Sequence, residues 1–420
     1  MIPGVSPSLP GDSSHRRDLL AWGGLSLLGV FSLLANSPAP RRIFLALALL
    51  AAGRELFCRP RNFSAGLAFI PWVLLVLLSA AWSPAPATST VDALQEAVLP
   101  LLACLLAVSL ASRLDWRYLW WPFASLALAA VWALFGALHV HAGFWPDAPK
   151  WLIGAYAGRG VASTLGVFLV LTGVALVLTL RRRSSHMGCY LPYLGVVLLV
   201  LGVGLGALGY NRMFWVAVLI GLGPWLIGSA HMTKRWRLLI GGGGGLAILA
   251  GLVYSSYWVS TQSGLATEQT VLRIAATYAD DPRWLLWQSW LPVVTERPLL
   301  GFGFGSRILP LIGVAHVTTG LPEFDWAAQH HAHNVLFNVV IQTGLIGLLA
   351  FLLVLYGVWR LVFKAGAQLG QDADHWRWAA ISLLLAGLAK SMTDDFFWGP
   401  AGIVMWLLLG IMAGIGRRAE

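Results

Sequence analysis

The sequence His330-His-Ala-His-Asn334 stands directly before an apolar run that continues to about residue 358 and is long enough to cross a membrane. The residues that precede it, from about 260 to 332, are much more polar than the rest of the chain. Ionisable side chains at the mouth of an apolar segment usually line a polar cavity. This stretch therefore predicts a membrane protein with chemistry at the membrane surface.

His333 begins a series with helical spacing, because Phe337, Val340, Gly344 and Gly347 follow it on one face of an ideal helix. The last two form Gly-x-x-Gly, a spacing that allows a neighbouring helix to approach closely. We therefore expect this face to pack on protein and to hold His333 at the mouth of a helix bundle. The alternative is an ordinary capped helix start above a packing motif.

The composition is that of a membrane protein. The chain has 420 residues, of which 58% are hydrophobic and 11% charged, whereas soluble proteins have about 25% charged residues. Basic residues are scattered between apolar runs, so the net charge of +10 is a topology signal and does not indicate nucleic acid. Cysteines 58, 104 and 189 lie in or beside apolar runs, so no disulfide framework is expected in the polar region.

Apolar windows of about 20 residues predict an all-α polytopic protein with twelve transmembrane helices. Their approximate cores are 19–36, 42–57, 64–82, 93–111, 118–139, 161–180, 189–209, 213–231, 238–258, 334–358, 376–391 and 398–416. Most of the 28 lysines and arginines then fall on the side of the two termini, which places both termini in the cytoplasm. The chain is one membrane domain with a large outer loop, 260–332, between the ninth and tenth helices.

The outer loop is too long for a simple connector, since unstructured loops above about 12–15 residues are uncommon. Asp281-Pro282 predicts the start of a helix through Trp290, on which Arg283 and Trp287 share a face with that tryptophan. Gly301-Phe-Gly-Phe-Gly305 predicts a flexible turn. Tryptophans are common at the membrane interface, and we expect five of them there, with sugar binding as the alternative: Trp284, Trp287, Trp290, Trp326 and Trp398.

Charged residues at the outer ends of the predicted helices are candidates for substrate contacts. Arg212 and Arg283 are suited to clamp an anion, because a guanidinium group matches phosphate oxygens. Arg159 and Lys390 belong to the same outer basic set, and Asp394 lies one turn after Lys390. These two could instead pair with each other. A further alternative is that Asp394 and Asp395 bind a divalent cation or hold a cationic side chain in place.

Metal and cofactor chemistry is not indicated. Histidines 330, 331 and 333 lack the spacing of a zinc site on a helix. No Gly-x-Gly-x-x-Gly sequence stands in a strand and helix context, so no nucleotide fold is expected. We predict an activity without metal or cofactor.

The pattern His333-Asn334, nine residues, then Gly344-Leu-Ile-Gly347 resembles that of bacterial O-antigen ligases. These share a superfamily with O-antigen polymerases and O-oligosaccharyltransferases. The order of other features is similar: Arg212 at a helix end, Arg283 in a loop helix, the turn at 298–303, and Thr393-Asp-Asp395 by the last helix.

The resemblance implies a periplasmic glycosyltransferase of the bacterial inner membrane. The donor would be O-antigen on undecaprenyl pyrophosphate, and the acceptor a sugar hydroxyl of lipid A-core. His333 takes the place of the essential histidine, and Arg212 and Arg283 those of two essential arginines. One departure is Tyr210-Asn211 before Arg212, where the family commonly has serine. We expect further substrate contacts from Asn334, Arg159, Lys390 and Asp394.

The chemistry of these residue types agrees with such a transfer. A neutral histidine can act as base toward a hydroxyl group, and arginines stabilise a departing pyrophosphate. We predict a metal-independent single displacement that inverts the anomeric centre. Polymerase and O-oligosaccharyltransferase activities remain alternatives. A polysaccharide transporter fits less well, because transporters commonly show repeated halves and no repeat is evident.

Overall fold

The computed structural model describes residues 13–34, 38–53, 66–144, 159–178, 190–228, 233–262, 282–318, 325, 328–363, 371–393 and 395–417. In chain order the described helices are α1 (Ser13–Leu34), α2 (Pro38–Ala52), α3 (Ile70–Leu78), α4 (Pro86–Asp92), α5 (Leu99–Ala111), α6 (Trp116–Ala142), α7 (Arg159–Leu178), α8 (Tyr190–Leu208), α9 (Arg212–Gly228), α10 (Lys234–Leu238), α11 (Gly244–Gln262), α12 (Pro282–Glu296), α13 (Leu309–His316), α14 (Val335–Phe363), α15 (Gln371–Ser391) and α16 (Gly399–Ile415). A π-helical turn, Ala93–Val98, joins α4 to α5.

The all-helical prediction is confirmed for the described residues, and every span predicted from the sequence overlaps one of these helices. Five described segments are long and apolar enough to cross a membrane: Pro86–Ala111, Arg117–Val140, Gly160–Leu178, Tyr190–Leu208 and Val335–Phe363. Shorter apolar helices occupy Leu67–Trp82, Arg212–Gly228, Leu239–Tyr254 and Gly399–Ile415. The number of twelve crossings and the loop bounds 260–332 stay predictions, since residues 263–281 lie outside the described part.

Glycines bring neighbouring helices into backbone contact. A Cβ added at Gly173 on α7 would lie 2.6 Å from the carbonyl oxygen of Gly195 on α8. Between α5 and α16, a Cβ at Gly410 would lie 2.3 Å from the Cys104 carbonyl oxygen. Lipid gives helices no hydrophobic reason to associate, so close packing of small residues carries much of the association energy.

Helices α9 and α15 run antiparallel, which brings Arg212 and Lys390 to the same end of the bundle. A Cβ added at Gly221 would lie 3.0 Å from the Cβ of Ala386, and one added at Gly228 would lie 2.2 Å from the Trp378 ring. Residue numbers therefore rise along α9 as they fall along α15. We call the end where α9 begins and α15 ends the loop end.

The opposite end of the bundle is held by the short connections near the two termini. The Arg113 guanidinium donates to the Asp18 carboxylate at 2.7 Å, and the Trp22 indole donates to the Tyr118 carbonyl at 2.8 Å. Near the C-terminus, Arg417 Nε donates to the Leu361 carbonyl at 3.0 Å. Both described chain ends thus meet at the end of the bundle away from the loop end.

Helix α14 is broken at Gly344, where φ is 66° and ψ is −170°. The expected approach of another helix at this glycine is therefore wrong. The close neighbour is the turn at 298–300, because a Cβ on Gly344 would lie 2.1 Å from the Leu299 carbonyl group. A left-handed backbone beside another backbone is possible only for glycine.

Residues 298–303 supply hydrogen-bond acceptors and donors to backbone groups of α14 on both sides of the break. Leu345 and Ile346 N–H donate to the Pro298 and Leu299 carbonyls at 2.8 and 3.3 Å. In return, Phe302 and Gly303 N–H donate to carbonyls of α14 at 3.0 and 2.8 Å. An interrupted helix at membrane depth needs such protein partners.

The turn Gly301-Phe-Gly-Phe-Gly305 was expected to be flexible. It is instead buried in the protein interior. Phe304 is fully buried and meets the Trp72 and Trp398 rings edge-on at 5.6 and 5.3 Å. Its N–H donates to Ser79 Oγ at 2.9 Å, and its carbonyl accepts from Ser89 Oγ at 2.6 Å. The glycines permit φ values of 64°, 111° and 143°, so they shape the turn rather than loosen it.

Candidate functional site

The histidine segment, His330–Asn334, leads directly into α14, and its last residue caps the start of this helix. Asn334 Oδ1 accepts from the N–H groups of Leu336 and Phe337 at 3.0 and 3.2 Å, which satisfies two of the free donors of a helix start. His333 has a left-handed φ of 49°. The expectation that His333 continues the helical face of α14 is therefore wrong, because the helix begins after it, at Val335.

Residues 392, 393 and 395 follow α15, and we call them segment 392–395. They accept hydrogen bonds from the histidine segment, from α12 and from the first turn of α14. Asn334 Nδ2 donates to the Met392 carbonyl at 3.2 Å, and Arg283 Nε donates to the Thr393 carbonyl at 3.1 Å. Asn338, on the first turn of α14, donates from Nδ2 to the Asp395 carboxylate at 2.6 Å. The histidine segment, the arginine of α12 and the acidic segment are thus joined directly.

Helix α12 begins at Pro282, as predicted, and extends to Glu296. Its Trp287 indole donates to the Ala332 carbonyl at 2.9 Å, and its Trp290 indole donates to the Ala328 carbonyl at 2.9 Å. Trp290 is fully buried, so its expected position at the membrane interface is wrong, whereas the interfacial position of the partly exposed Trp287 stays a prediction. Both tryptophans hold the face of α12 that carries Arg283 against the histidine segment.

A cavity of about 380 Å³ opens at the loop end between the histidine segment, the turn after Gly305 and the start of α16. Its polar lining consists of Glu96, Ser306, His331, Asn338 and Asp395. Among the described lining residues the histidine is His331 and not His333. The rings of His331 and His333 lie 3.8 Å apart between centroids, so His333 stands one ring away.

Two acidic residues on one face of the α4–α5 segment hold the turn that forms one wall of the cavity. Glu96 accepts from the Ser306 N–H at 3.0 Å and also from the Ser306 hydroxyl. Asp92 accepts from Arg307 Nε at 2.7 Å and from the Arg307 N–H at 3.1 Å. These bonds raise the pKa of Arg307, which therefore remains charged.

A second cavity of about 280 Å³ adjoins the first, and Glu96 and Ser306 line both. Arginines 41 and 42 of α2 and Arg307 contribute to its wall. Basic side chains of α2 therefore lie beside the candidate site, although no sequence motif connects this helix with it.

The arginines predicted to clamp an anion lie at the loop end but outside the described lining of the first cavity. Arg212 is the first residue of α9, directly after Asn211, whose side chain accepts from the Met213 N–H at 3.0 Å. Asn211 thus serves as a helix cap, a role that serine also fills. Tyr210 before it has a left-handed φ of 46°.

The other predicted contact residues have different positions. Arg159 is the first residue of α7, two residues before Val161, which lines the cavity. Lys390 is fully buried, with Nζ 4.5 Å from the centre of the Phe396 ring. Asp394 lies outside the described residues, so its pairing with Lys390 stays a prediction. The substrate contacts of all these residues, Asn334 included, also stay predictions.

A metal site is not formed by the described side chains: they contain no group of three or more His, Cys, Asp and Glu residues arranged to hold an ion. Asp394 is not covered by this statement. Metal independence therefore remains a prediction that needs an assay.

Five lining residues lie outside the predicted site: Glu96, Ser306, His331, Asn338 and Asp395. Asn338 and Asp395 could have been identified from the sequence, since each stands within a few residues of a predicted site motif. The indication for Glu96 is weaker, because it is only a carboxylate at the end of an apolar run. Its contact with Ser306 joins positions 210 residues apart, which no local pattern reveals.

Comparison with known families gives one match, the family described as O-antigen ligase, over residues 197–352. This region is somewhat more than a third of the chain, and it contains Arg212, Arg283 and the His333 to Gly347 motif. The predicted relationship to the O-antigen ligase superfamily is therefore confirmed for this region. Among curated proteins, none matches the chain.

Proposed function

From this family relationship we propose that the protein is an O-antigen ligase, a glycosyltransferase embedded in the bacterial inner membrane. It moves O-antigen from undecaprenyl pyrophosphate to a sugar hydroxyl of lipid A-core. The supporting observation is the joining of Arg283, the histidine segment and segment 392–395 by hydrogen bonds at one end of an apolar bundle. A lipid-linked sugar needs such a site, beside both lipid and water.

The proposed reaction is one displacement at the anomeric carbon. The acceptor hydroxyl oxygen attacks this carbon while its bond to the pyrophosphate oxygen breaks, and the configuration inverts. His333 takes the hydroxyl proton as general base. Undecaprenyl pyrophosphate leaves with the bonding electrons, so atoms and charges balance without an added reactant.

Arg283 and Arg212 stabilise the charge that develops on the departing pyrophosphate. Arg283 is the second residue of α12 and Arg212 the first residue of α9, so the positive ends of two helix dipoles lie beside the guanidinium groups. Preorganised donors of this kind are worth more in a water-poor site than in solution. Lys390, buried at the same end, adds a further positive charge near segment 392–395.

A gene deletion separates ligase from the related activities. We expect the deletion strain to keep long O-antigen on the lipid carrier and to leave the lipid A-core bare. Core that carries a single repeat unit would instead indicate a polymerase. Loss of glycan from protein, with intact lipopolysaccharide, would indicate an O-oligosaccharyltransferase.

Turnover by the purified protein in detergent separates an enzyme from a transporter, because detergent leaves no second compartment. We expect transfer to lipid A-core and release of undecaprenyl pyrophosphate, also in excess chelator. Complete inactivity with intact substrates would favour transport. Activity that chelator abolishes and magnesium restores would contradict the metal-free mechanism.

A further inference from the structure

The lining of the first cavity is suited to a neutral sugar and unsuited to a pyrophosphate. Two carboxylates, Glu96 and Asp395, face it together with the Ser306 hydroxyl and the Asn338 amide. Carboxylates repel phosphate oxygens but accept hydrogen bonds from sugar hydroxyls. The Trp398 ring adds an apolar wall, and 380 Å³ falls within the range of about 300–1,000 Å³ for small-ligand pockets.

The Glu96 carboxyl group is held in place and retains capacity for a ligand. Each Glu96 oxygen accepts one bond from Ser306, whereas a carboxyl oxygen has two lone pairs. Asn338 donates to Asp395 and also accepts from the Ala332 N–H at 3.0 Å. One amide therefore aligns the acidic wall and the histidine wall of the cavity.

His331 is held in one tautomer by its neighbour. The His333 N–H donates to His331 Nδ1 at 3.1 Å, and the left-handed backbone of His333 belongs to the same bend. A nitrogen that accepts a hydrogen bond must keep its lone pair, so in the neutral ring the proton is on Nε2. His331 therefore offers an N–H donor and is not arranged as a base.

We propose that this cavity is a sugar-binding subsite, in which His331 Nε2–H donates to a sugar oxygen and Glu96 and Asp395 accept from sugar hydroxyls. This inference rests on the proposed glycosyltransferase function. Pyrophosphate is bound outside the cavity, at Arg212 and Arg283. The sugar belongs either to the lipid-linked donor or to the acceptor, and the kinetics below distinguish these two sources.

Two substitutions of His331 test the roles of its two ring nitrogens separately. His331→Asn keeps an acceptor near the Nδ1 position for the His333 N–H but lacks the Nε2 donor. His331→Gln places an amide donor near the Nε2 position but lacks the Nδ1 acceptor. The neighbouring His330, which is exposed, gives the matched control His330→Asn.

The test measures KM for donor and acceptor, kcat, and binding of sugar-free undecaprenyl pyrophosphate. Because one hydrogen bond is worth about 0.5–1.5 kcal/mol, we expect His331→Asn to raise one of the two KM values roughly 3–10-fold. The affinity for sugar-free undecaprenyl pyrophosphate should not change, and His331→Gln should retain most sugar affinity. The KM that rises identifies the sugar's source. Unchanged KM values in His331→Asn with a defective His331→Gln would overturn the proposal.

Glu96→Gln provides a second test, because a sugar site and a pyrophosphate site predict opposite changes in ligand affinity. At a sugar subsite, loss of the carboxylate weakens sugar binding and leaves sugar-free undecaprenyl pyrophosphate unaffected. At a pyrophosphate site, loss of negative charge would tighten undecaprenyl pyrophosphate instead, and that result would refute the assignment. Wild-type turnover is the separate control. Its absence contradicts the transferase function, whereas an active wild type whose sugar affinity is unchanged in the variants contradicts the sugar subsite alone.

Discussion

At the scale of single residues, the two neighbouring histidines have different surroundings. His331 lines the cavity, and its Nδ1 accepts the His333 N–H. The His333 ring lies against it at the bend before α14, tilted by 44°. A base and a hydrogen-bond donor side by side can act on the two partners of a transfer, the attacking hydroxyl and the bound sugar.

Arg283 allows the proposed anion role to be separated from a structural one. Arg283→Ala should lower turnover by roughly 10²–10³, as expected for loss of one stabilising donor, and should weaken binding of undecaprenyl pyrophosphate. Arg283→Lys should recover only part of both, since lysine keeps the charge but loses the fork. Initial rates and direct binding measure the two effects.

A matched control for Arg283 is Arg297→Ala, because Arg297 is exposed one residue after α12 and lies over the Phe302 ring at 4.8 Å. It should change neither quantity appreciably. If Arg283→Ala binds undecaprenyl pyrophosphate as tightly as wild type, the arginine only joins α12 to Thr393.

The sequence could predict part of the site at this scale. His333, Arg283 and Asp395 stand in motifs of polar residues at helix ends, where apolar surroundings make them conspicuous. The role of His331 depends on the backbone bend at His333, and Glu96 depends on the docking of a distant turn. Neither can be deduced from local spacing.

At the scale of elements, the broken helix α14 and the buried turn Gly301–Gly305 form one unit. Four backbone hydrogen bonds join α14 to residues 298–303, and Gln342 of α14 adds a side-chain acceptor for the Gly305 N–H at 2.8 Å. The turn then presents Ser306 and Arg307 to the acidic face of the α4–α5 segment. The position of the cavity wall that contains Ser306 therefore depends on the break at Gly344.

Gly344→Ala tests this dependence. The new Cβ would overlap the Leu299 carbonyl and would require a left-handed alanine, so we expect a loss of at least about 1–3 kcal/mol and loss of activity. Thermal unfolding in detergent measures the stability. Gly242→Ala is the control, because a Cβ there meets no atom within 4 Å; equal melting temperatures for the two variants would refute the account of α14.

Periodicity predicted the existence of α14 but not its break. The residues of the motif have helical spacing on both sides of Gly344, so an unbroken helix fits the sequence equally well. The conformation at Gly344 is decided by contact with residues 298–303. For the same reason, the glycines of the turn suggested flexibility, although they permit close packing.

At the scale of the whole molecule, polar connections at the loop end form the site, and the opposite end carries the Arg113–Asp18 pair. Apolar runs and the distribution of basic residues could predict this division, since the cost of burying charge in lipid acts along the whole chain. Helix neighbours could not be predicted, because close contacts between glycines depend on which faces meet.

Cysteine labelling in intact cells tests the predicted orientation. In a variant without the native cysteines, Thr318→Cys at the loop end should react with a membrane-impermeant maleimide. Arg117→Cys, near the opposite end, should react only after the inner membrane is permeabilised. Both positions are exposed, so accessibility reports the side of the membrane; the reverse pattern would contradict a periplasmic site with cytoplasmic termini.

The central claim, that His333 is the base of a glycan transfer at this end of the bundle, is tested most directly by single-turnover transfer at saturating donor. We predict that His333→Ala lowers this rate by roughly 10²–10⁴ and leaves donor affinity nearly unchanged, while His330→Ala resembles wild type. A wild-type rate in saturated His333→Ala, with the defect confined to donor affinity, would contradict the claim and make His333 a donor ligand.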